Sequence, residues 1–421
     1  MIHNKFRKIC VIGLGYVGLP TAAIFATHGT EVIGVDVNEL KVRSVNNGKA
    51  PIIEPGLDKL VNNAVSKGKL VAKTKPTHAD AFIIAVPTPL LSNRKPNLKY
   101  VKAAIHSIRT LIKKGNLIIL ESTSPVGTTE QICKWLAASR KDLTFPHSHG
   151  NKADINVAHS PERVLPGNVL FEIMQNDRVI GGVSKHCAEQ TKNLYKLILK
   201  GRHHITDART AELVKLMENA YRDTNIAFAN ELSLICNKLK IDCWEAIELA
   251  NHHPRVNILK PGPGVGGHCI AIDPWFIVDS APKLTPLIQA ARRVNENKPK
   301  LILRQIVKIV KKSKNPVISC LGLAYKSNID DLRESPAINI TLALAKEKNC
   351  TILVVEPHIK KLPNNFIKYT NIQLVNLDEA LKKSQIIVLL TDHKQFHNIN
   401  RKRILGKQIF DTRGIWGIKP D

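Results

Sequence analysis

The 421-residue chain carries 62 Lys and Arg against 35 Asp and Glu, a formal net charge of +27, with 43% hydrophobic residues and eight cysteines. That length exceeds one ordinary core, so two or three globular domains are expected. The positive charge is dispersed, without a dense arm, a zinc-finger spacing or an RNP-like strand, which sets aside nucleic acid as a partner while favouring an anionic ligand.

The cysteines are scattered, with no Cys-x-x-Cys pair and no leader ahead of Ile9, a pattern of reduced thiols in the cytoplasm. Apolar runs such as Ile386 to Leu390 fall far short of the roughly 20 residues that cross a bilayer, so no membrane span is expected. In chain order, Arg7 to Ile12 reads as a strand, followed by Gly13-Leu-Gly15-Tyr16-Val17-Gly18, a helical pattern through His28, and a second strand ending in Asp36. Gly13 suits the turn, Gly15 admits a pyrophosphate, Gly18 lets the helix approach the sheet, and the helix N-terminus faces the phosphates. Asp36 would bind the ribose hydroxyls and repel a 2′-phosphate, so the expected cofactor is NAD. Strands at Ala81 to Val86 and Asn116 to Glu121 alternate with helices at Tyr100 to Lys113 and Thr128 to Ala138, which points to a parallel, doubly wound sheet. Thr88, Thr123 and Thr129 lie in the loops at the strand ends, where ligands collect, with a capped helix start at Thr128 or Thr129 as the alternative.

A strand at Ile155 to Ala158 leads to Glu162 and Arg163, which suit either an anionic substrate or a surface ion pair. From Asp207 to about Lys240 no proline or glycine interrupts a helical pattern with Leu213, Leu216, Ala220, Ala227 and Leu234, a length that links domains and forms a subunit contact. Lys215 and Asn219 share one face of it, with Arg222 beside them. They read either as a solvated patch or as an oxyanion holder. The pairs His147/His149, His203/His204 and His252/His253 lack the spacing of a zinc site, so no metal is expected. Lys260 to Phe276 puts four glycines between Pro261 and His268, whose backbone can approach a ligand closely, with Cys269 next and Asp273 four residues on; an inert turn cysteine is the alternative. Beyond a helix from Pro286 to about Lys312, strands at Pro316 to Leu323, Thr351 to Val355, Gln385 to Leu390 and Gln408 to Phe410 make a second α/β unit without a glycine fingerprint. Lys326, Arg333 and Arg413 sit at its strand ends, where cations suit a diphosphate.

Taken together, Gly13-x-Gly15-x-x-Gly18, Ser122-Thr123-x-Pro125-Val126, Pro161-Glu162, Lys215 with Asn219, Gly266-Gly267-x-Cys269-x-x-x-Asp273 and Lys326 with Asp331-x-Arg333 occur in one order. Over essentially its whole length the chain resembles the UDP-glucose/GDP-mannose dehydrogenase family. Within it, Pro161 to Gly167, Asn230 to Cys236, His253 to Ile258 and His268 to Trp275 look most like the bacterial branch acting on UDP-N-acetyl-D-mannosamine for enterobacterial common antigen and related polysaccharides.

The resemblance implies an α/β fold of two Rossmann-like doubly wound parallel-sheet domains joined by a long central helix. Its parts would be an NAD-binding domain over 1–205, a central helical and dimerisation region over 206–300, and a UDP-sugar domain over 301–421. It implies oxidation of a sugar C6 alcohol to a carboxylate with two NAD, through a thiohemiacetal and thioester on Cys269. Lys215 and Asn219 would stabilise oxyanions, Asp273 would help hold a water, and Glu162 would activate water. Tyr16, Val17, Asp36, Thr88, Thr123 or Thr129 and Arg333 would touch NAD. Arg163, Val164, Arg222, His253, Arg255, Gly266, Tyr325, Lys326 and Arg413 would touch the UDP-sugar, with Arg255 reaching a neighbouring subunit of a homodimer. Pro166 stands where the UDP-glucose branch commonly has a second glutamate, which weakens UDP-glucose; it and UDP-N-acetylglucosamine are the alternative substrates.

Overall fold

Fully buried parallel strands read as short continuous apolar runs, and such runs build two sheets in this chain. In the computed structural model, which describes residues 6–164, 167–347 and 349–417, the first sheet contains β1 (Lys8–Ile12), β2 (Glu31–Val35), β3 (Leu70–Lys73), β4 (Ala81–Ile84), β5 (Leu117–Leu120), β6 (Asn156–His159), β7 (Arg178–Gly182) and β8 (His203–Asp207). Their order is β3-β2-β1-β4-β5-β6-β7-β8. Every neighbouring pair is parallel except β6 with β7, which run antiparallel. The second sheet, β9 (Val317–Leu321), β10 (Thr351–Val355), β11 (Ile372–Leu374), β12 (Ile386–Leu389) and β13 (Gln408–Asp411), is wholly parallel in the order β11-β10-β9-β12-β13. Strand order reverses beside β1 and beside β9, and such switch points gather ligands at the carboxyl ends of the strands.

Each sheet is covered on both faces. The first packs Leu19, Phe25 and Val61 on one side and Val101, Ile105 and Leu136 on the other. The second does the same with Ile306, Ile340 and Leu344 against Leu381, Phe396 and Trp416. Each such side chain contributes about 1.5–3 kcal/mol when removed from water. By contacts the chain divides into two units, one holding the described residues up to Glu218 with Trp275–Ser280, the other Asn219–Pro274 and the residues from Ala281. The segment 206–300 is thus shared between them.

The helix Ala208–Leu239 has 32 residues, or about 48 Å at 1.5 Å per residue. Its polarity is inverted. Glu212, Lys215, Asn219, Asp223 and Asn230 are buried, whereas Leu213, Met217, Tyr221, Phe228, Ile235 and Leu239 are exposed. The expected apolar face therefore holds at Leu216, Ala220 and Ala227 but fails at Leu213, which lies on the exposed stripe. Asp223 explains part of the burial: its carboxylate accepts from Arg292 Nη1 at 2.6 Å and Asn295 Nδ2 at 2.8 Å, side chains of the helix Pro286–Val310. Asn230 accepts the Gly262 N–H at 2.9 Å and donates to Asn295 at 2.8 Å. Among the described residues no helix is long and apolar enough to cross a membrane, and no disulfide joins the cysteines.

Candidate active site

The turn after β1 has the geometry that its glycines require. Gly13 adopts φ 99°, and a Cβ on it would stand 2.4 Å from the Ala85 carbonyl oxygen; a Cβ on Gly18 would stand 1.9 Å from the Gly13 oxygen. At Gly15 a Cβ would meet nothing within 4 Å, so space is open where a pyrophosphate would approach. No side chain caps the helix Gly18–Thr27, so its positive end is turned to an incoming anion. Asp36 follows β2 and accepts the Leu14 N–H at 3.1 Å and the Asn38 N–H at 2.9 Å. Its carboxylate also lies 3.6 Å from Lys41. Tyr16 and Val17 are half-buried in the same turn. These residues fit a dinucleotide. Thr88 and Thr123 come together, the Thr88 hydroxyl donating to the Thr123 carbonyl at 2.6 Å. Thr129 is turned elsewhere: its hydroxyl and N–H donate to Glu212 at 2.6 and 2.7 Å, and the Gly127 N–H donates to the other oxygen. Glu212, from the long helix, thus closes the start of the helix Thr128–Ser139.

Glu162 and Arg163 do not pair with each other side chain to side chain. Arg163 binds Glu218 at 2.6 Å, and Val164 packs on the first core. Glu162 is buried and bound by Arg178 at 2.7 Å, while its other oxygen accepts the Arg163 N–H at 2.8 Å. Arg178, which opens β7, also holds Glu121 at 2.6 Å and Ser160 Oγ at 2.8 Å, and the Tyr195 hydroxyl donates to Glu121 at 2.6 Å. Burial pushes the Glu121 carboxyl up to about 7 against the pull of Arg178. His159 beside it is fully enclosed with both ring nitrogens unpaired, and burial depresses it to about 3, so it is neutral. Neither Arg178 nor Glu121 was expected as part of the site. The arginine stands 16 positions beyond Glu162 in an apolar strand, where nothing local marks it. Pro166 lies outside the described residues.

Lys215 is 9% exposed and Asn219, one turn on, is 4% exposed. The solvated reading of this pair is therefore replaced by a buried one. Asn219 Nδ2 donates to Asp273 Oδ2 at 2.5 Å, and the Asp273 N–H donates to the Cys269 carbonyl at 2.8 Å. Cys269 itself is exposed. Arg222 is exposed on the long helix, and His253 and Arg255 are exposed after the helix Cys243–Asn251.

The glycines ahead of Cys269 serve close packing. A Cβ on Gly266 would stand 2.6 Å from the Glu334 oxygen, one on Gly267 2.7 Å from the Tyr325 ring, and one on Gly262 2.7 Å from Arg413 Nη1. Gly267 donates its N–H to the Arg333 carbonyl at 3.0 Å. Lys326 is exposed in the turn after β9, and Arg333 makes a two-pronged pair with Asp331 at 2.6–3.1 Å. Arg413 Nε donates to the Leu390 carbonyl at 3.2 Å. The thiol loop, Tyr325, Lys326, Arg333 and Arg413 thus belong to one unit, whereas the Gly13 turn and Asp36 belong to the other.

Three family sequence models match in succession: the UDP-glucose/GDP-mannose dehydrogenase family NAD binding domain over residues 7–199, its central domain over 209–297, and its UDP binding domain over 319–418. An NDP-N-acetyl-D-galactosaminuronic acid dehydrogenase of Ralstonia nicotianae is 54% identical over 418 residues, covering 99% of this chain and 98% of its own. A UDP-N-acetyl-D-mannosamine dehydrogenase of Campylobacter jejuni is 56% identical over 403 residues, 96% of this chain and 99% of its own. Among solved structures, a UDP-D-ManNAc dehydrogenase from Pyrococcus horikoshii is similar with a TM-score of 0.88 at 37% identity, covering 98% of this chain and 96% of that one.

Proposed function

The chain belongs to the UDP-glucose/GDP-mannose dehydrogenase family, and from that premise we propose that it oxidises the C6 alcohol of UDP-N-acetyl-D-mannosamine to the carboxylate, reducing two NAD per sugar. The observation that carries this reading is an exposed thiol, Cys269, tied through its backbone to the buried Asp273–Asn219 pair. The high identity to the Campylobacter enzyme supports the mannosamine sugar. The Ralstonia relative gives a second reading, the N-acetyl-D-galactosamine sugar.

NAD, when bound, is the hydride acceptor for both oxidations. Lys215 and Asn219 stabilise negative charge on the C6 oxygen, a role that gains from burial. The Cys269 thiolate adds to the C6 aldehyde, forming a carbon–sulfur bond and a thiohemiacetal. Loss of the second hydride leaves a thioester. Water then adds to the thioester carbon, the carbon–sulfur bond breaks, the thiolate returns and the water oxygen stays in the carboxylate. Glu162, held by Arg178, accepts the proton of that water. Tyr325, Lys326 and Arg413 bind the nucleotide diphosphate, and Thr88 with Thr123 lines the cofactor side. The product serves surface polysaccharide synthesis in the cytoplasm, and the exposed stripe of the long helix forms a homodimer.

Cys269→Ser tests the thioester. The serine is expected to stall after the first oxidation or to retain an ester adduct seen by intact mass, while Cys269→Ala binds NAD normally and makes no acid. Normal acid formation by Cys269→Ala overturns the scheme.

A further inference from the structure

Two corners of the molecule are built alike. Ile12-Gly13-Leu14-Gly15-Tyr16 ends β1, and Leu321-Gly322-Leu323-Ala324-Tyr325 ends β9. Gly13 donates its N–H to Val35 at 2.7 Å, and Gly322 donates to Val355 at 2.8 Å. Both glycines adopt positive φ, 99° and 89°. In each corner the acid following the second strand accepts the next N–H: Asp36 from Leu14 at 3.1 Å, Glu356 from Leu323 at 2.6 Å.

There the likeness ends. Glu356 also accepts the Ala324 N–H at 2.9 Å and lies 3.1 Å from His393 Nε2, with both side chains at 0% exposure. Burial raises its carboxyl, but His393 and the two N–H groups outweigh that and hold it below the ordinary value. A backbone N–H can only donate, so the Asn328 N–H, 2.9 Å from His393 Nδ1, fixes Nδ1 as an acceptor and places the ring proton on Nε2, facing Glu356. This also disposes of a metal reading. Glu356, His358 and His393 bring possible ligand atoms within 4.8 Å of one another, but coordination through His393 Nε2 would need an imidazolate while Nδ1 still accepts.

The bonds converge on one turn. Thr391 Oγ1 donates to the Ala324 carbonyl at 2.6 Å, His393 takes the Asn328 N–H, and Asn328 Oδ1 accepts the Lys394 N–H at 3.0 Å. Ala324 and Asn328 bracket Tyr325 and Lys326, and Tyr325 fills the space beside Gly267 in the thiol loop. We propose that His393, backed by Glu356, is a positioning residue for the nucleotide sugar: it fixes the Ala324 to Asn328 turn that presents Tyr325 and Lys326 to the diphosphate. The inference rests on the reading of that turn as a substrate contact.

Two substitutions separate its two bonds. In His393→Asn the amide oxygen reaches the place of Nδ1 and can accept the Asn328 N–H. In His393→Gln the amide reaches the place of Nε2, can donate to Glu356, and leaves Asn328 without its acceptor. His393→Gln is expected to raise KM for the UDP-sugar about five- to tenfold, the scale of one buried hydrogen bond, with kcat and the KM for NAD near wild type; His393→Asn should stay within about threefold. Thr391→Val, which removes the bond to Ala324, should raise the same KM and covers the case in which the histidine variants fail to fold. Lys326→Ala isolates the underlying reading, which fails if that variant leaves the sugar KM unchanged. If Lys326→Ala raises it while His393→Gln and Thr391→Val do not, or if His393→Asn and His393→Gln raise it equally, the positioning role is overturned.

Discussion

A lysine 9% exposed, with no ion-pair partner among the described residues, gives up hydration that an anionic oxygen would restore. Lys215→Ala is therefore expected to lower kcat about 10²- to 10³-fold, the usual effect of removing an oxyanion donor, measured under saturating sugar and NAD; an unchanged kcat would remove Lys215 from the chemistry. The sequence placed Lys215 with Asn219 on one face, because helical spacing is readable. It left their burial open, because burial depends on what packs there. Arg178 was invisible for a related reason: its partners Glu121 and Glu162 follow the ends of β5 and β6, far apart in the chain. Glu121 gives a pH signature. Its folded-state pKa is raised to about 7 by burial, while an unfolded chain titrates near 4.3. The folded state therefore holds the extra proton between those values, and stability from this group is present below that window and lost as pH rises through about 7. Glu121→Gln should flatten the fall in stability between pH 5 and 7, whose slope is at most about 1.4 kcal/mol per pH unit. An unaltered slope in urea titrations would show that another group is responsible.

At the scale of elements, the glycine turn was readable because two of its glycines, Gly13 and Gly18, meet a local steric requirement, while Gly15 leaves open space. Gly18→Ala would force a Cβ to 1.9 Å from the Gly13 oxygen, so NAD affinity should fall by at least tenfold in a fluorescence titration; wild-type affinity would contradict the close packing. The antiparallel β6–β7 pair and β8 were not legible. β7 is Arg178-Val-Ile-Gly-Gly182, and β8 is a polar edge strand with little apolar signal. The long helix was legible in length but not in orientation. Its exposed stripe of Met217, Tyr221 and Phe228 is expected to be covered by a second copy, since apolar patches of this kind mark association surfaces. Tyr221→Glu with Phe228→Glu should shift the mass in solution from dimer to monomer by light scattering. A wild-type monomer, or a variant that stays dimeric, counts against the stripe as the dimer contact.

For the molecule as a whole, the alternation of strands and helices was recoverable from hydrophobic pattern and the family from six ordered motifs, whereas the strand orders that set the two switch points were not. Nor was the choice of sugar, since these N-acetylated hexosamines differ only in configuration at one or two ring carbons and the pocket that sorts them is a matter of shape. The thiol loop shows the same limit from the other side. Its glycines read as an approach for a ligand, and the structure shows them fitting Tyr325, Glu334 and Arg413. That packing leaves Cys269 exposed at the end of a loop fixed by its neighbours. The most direct test of the proposed four-electron oxidation is a panel of UDP-N-acetyl-D-mannosamine, UDP-N-acetyl-D-galactosamine, UDP-N-acetyl-D-glucosamine and UDP-glucose, each incubated with NAD while NADH and product are counted. The expected result is fastest turnover of UDP-N-acetyl-D-mannosamine with two NADH and one uronate per sugar. One NADH per sugar, or preference for another member of the panel, would contradict it.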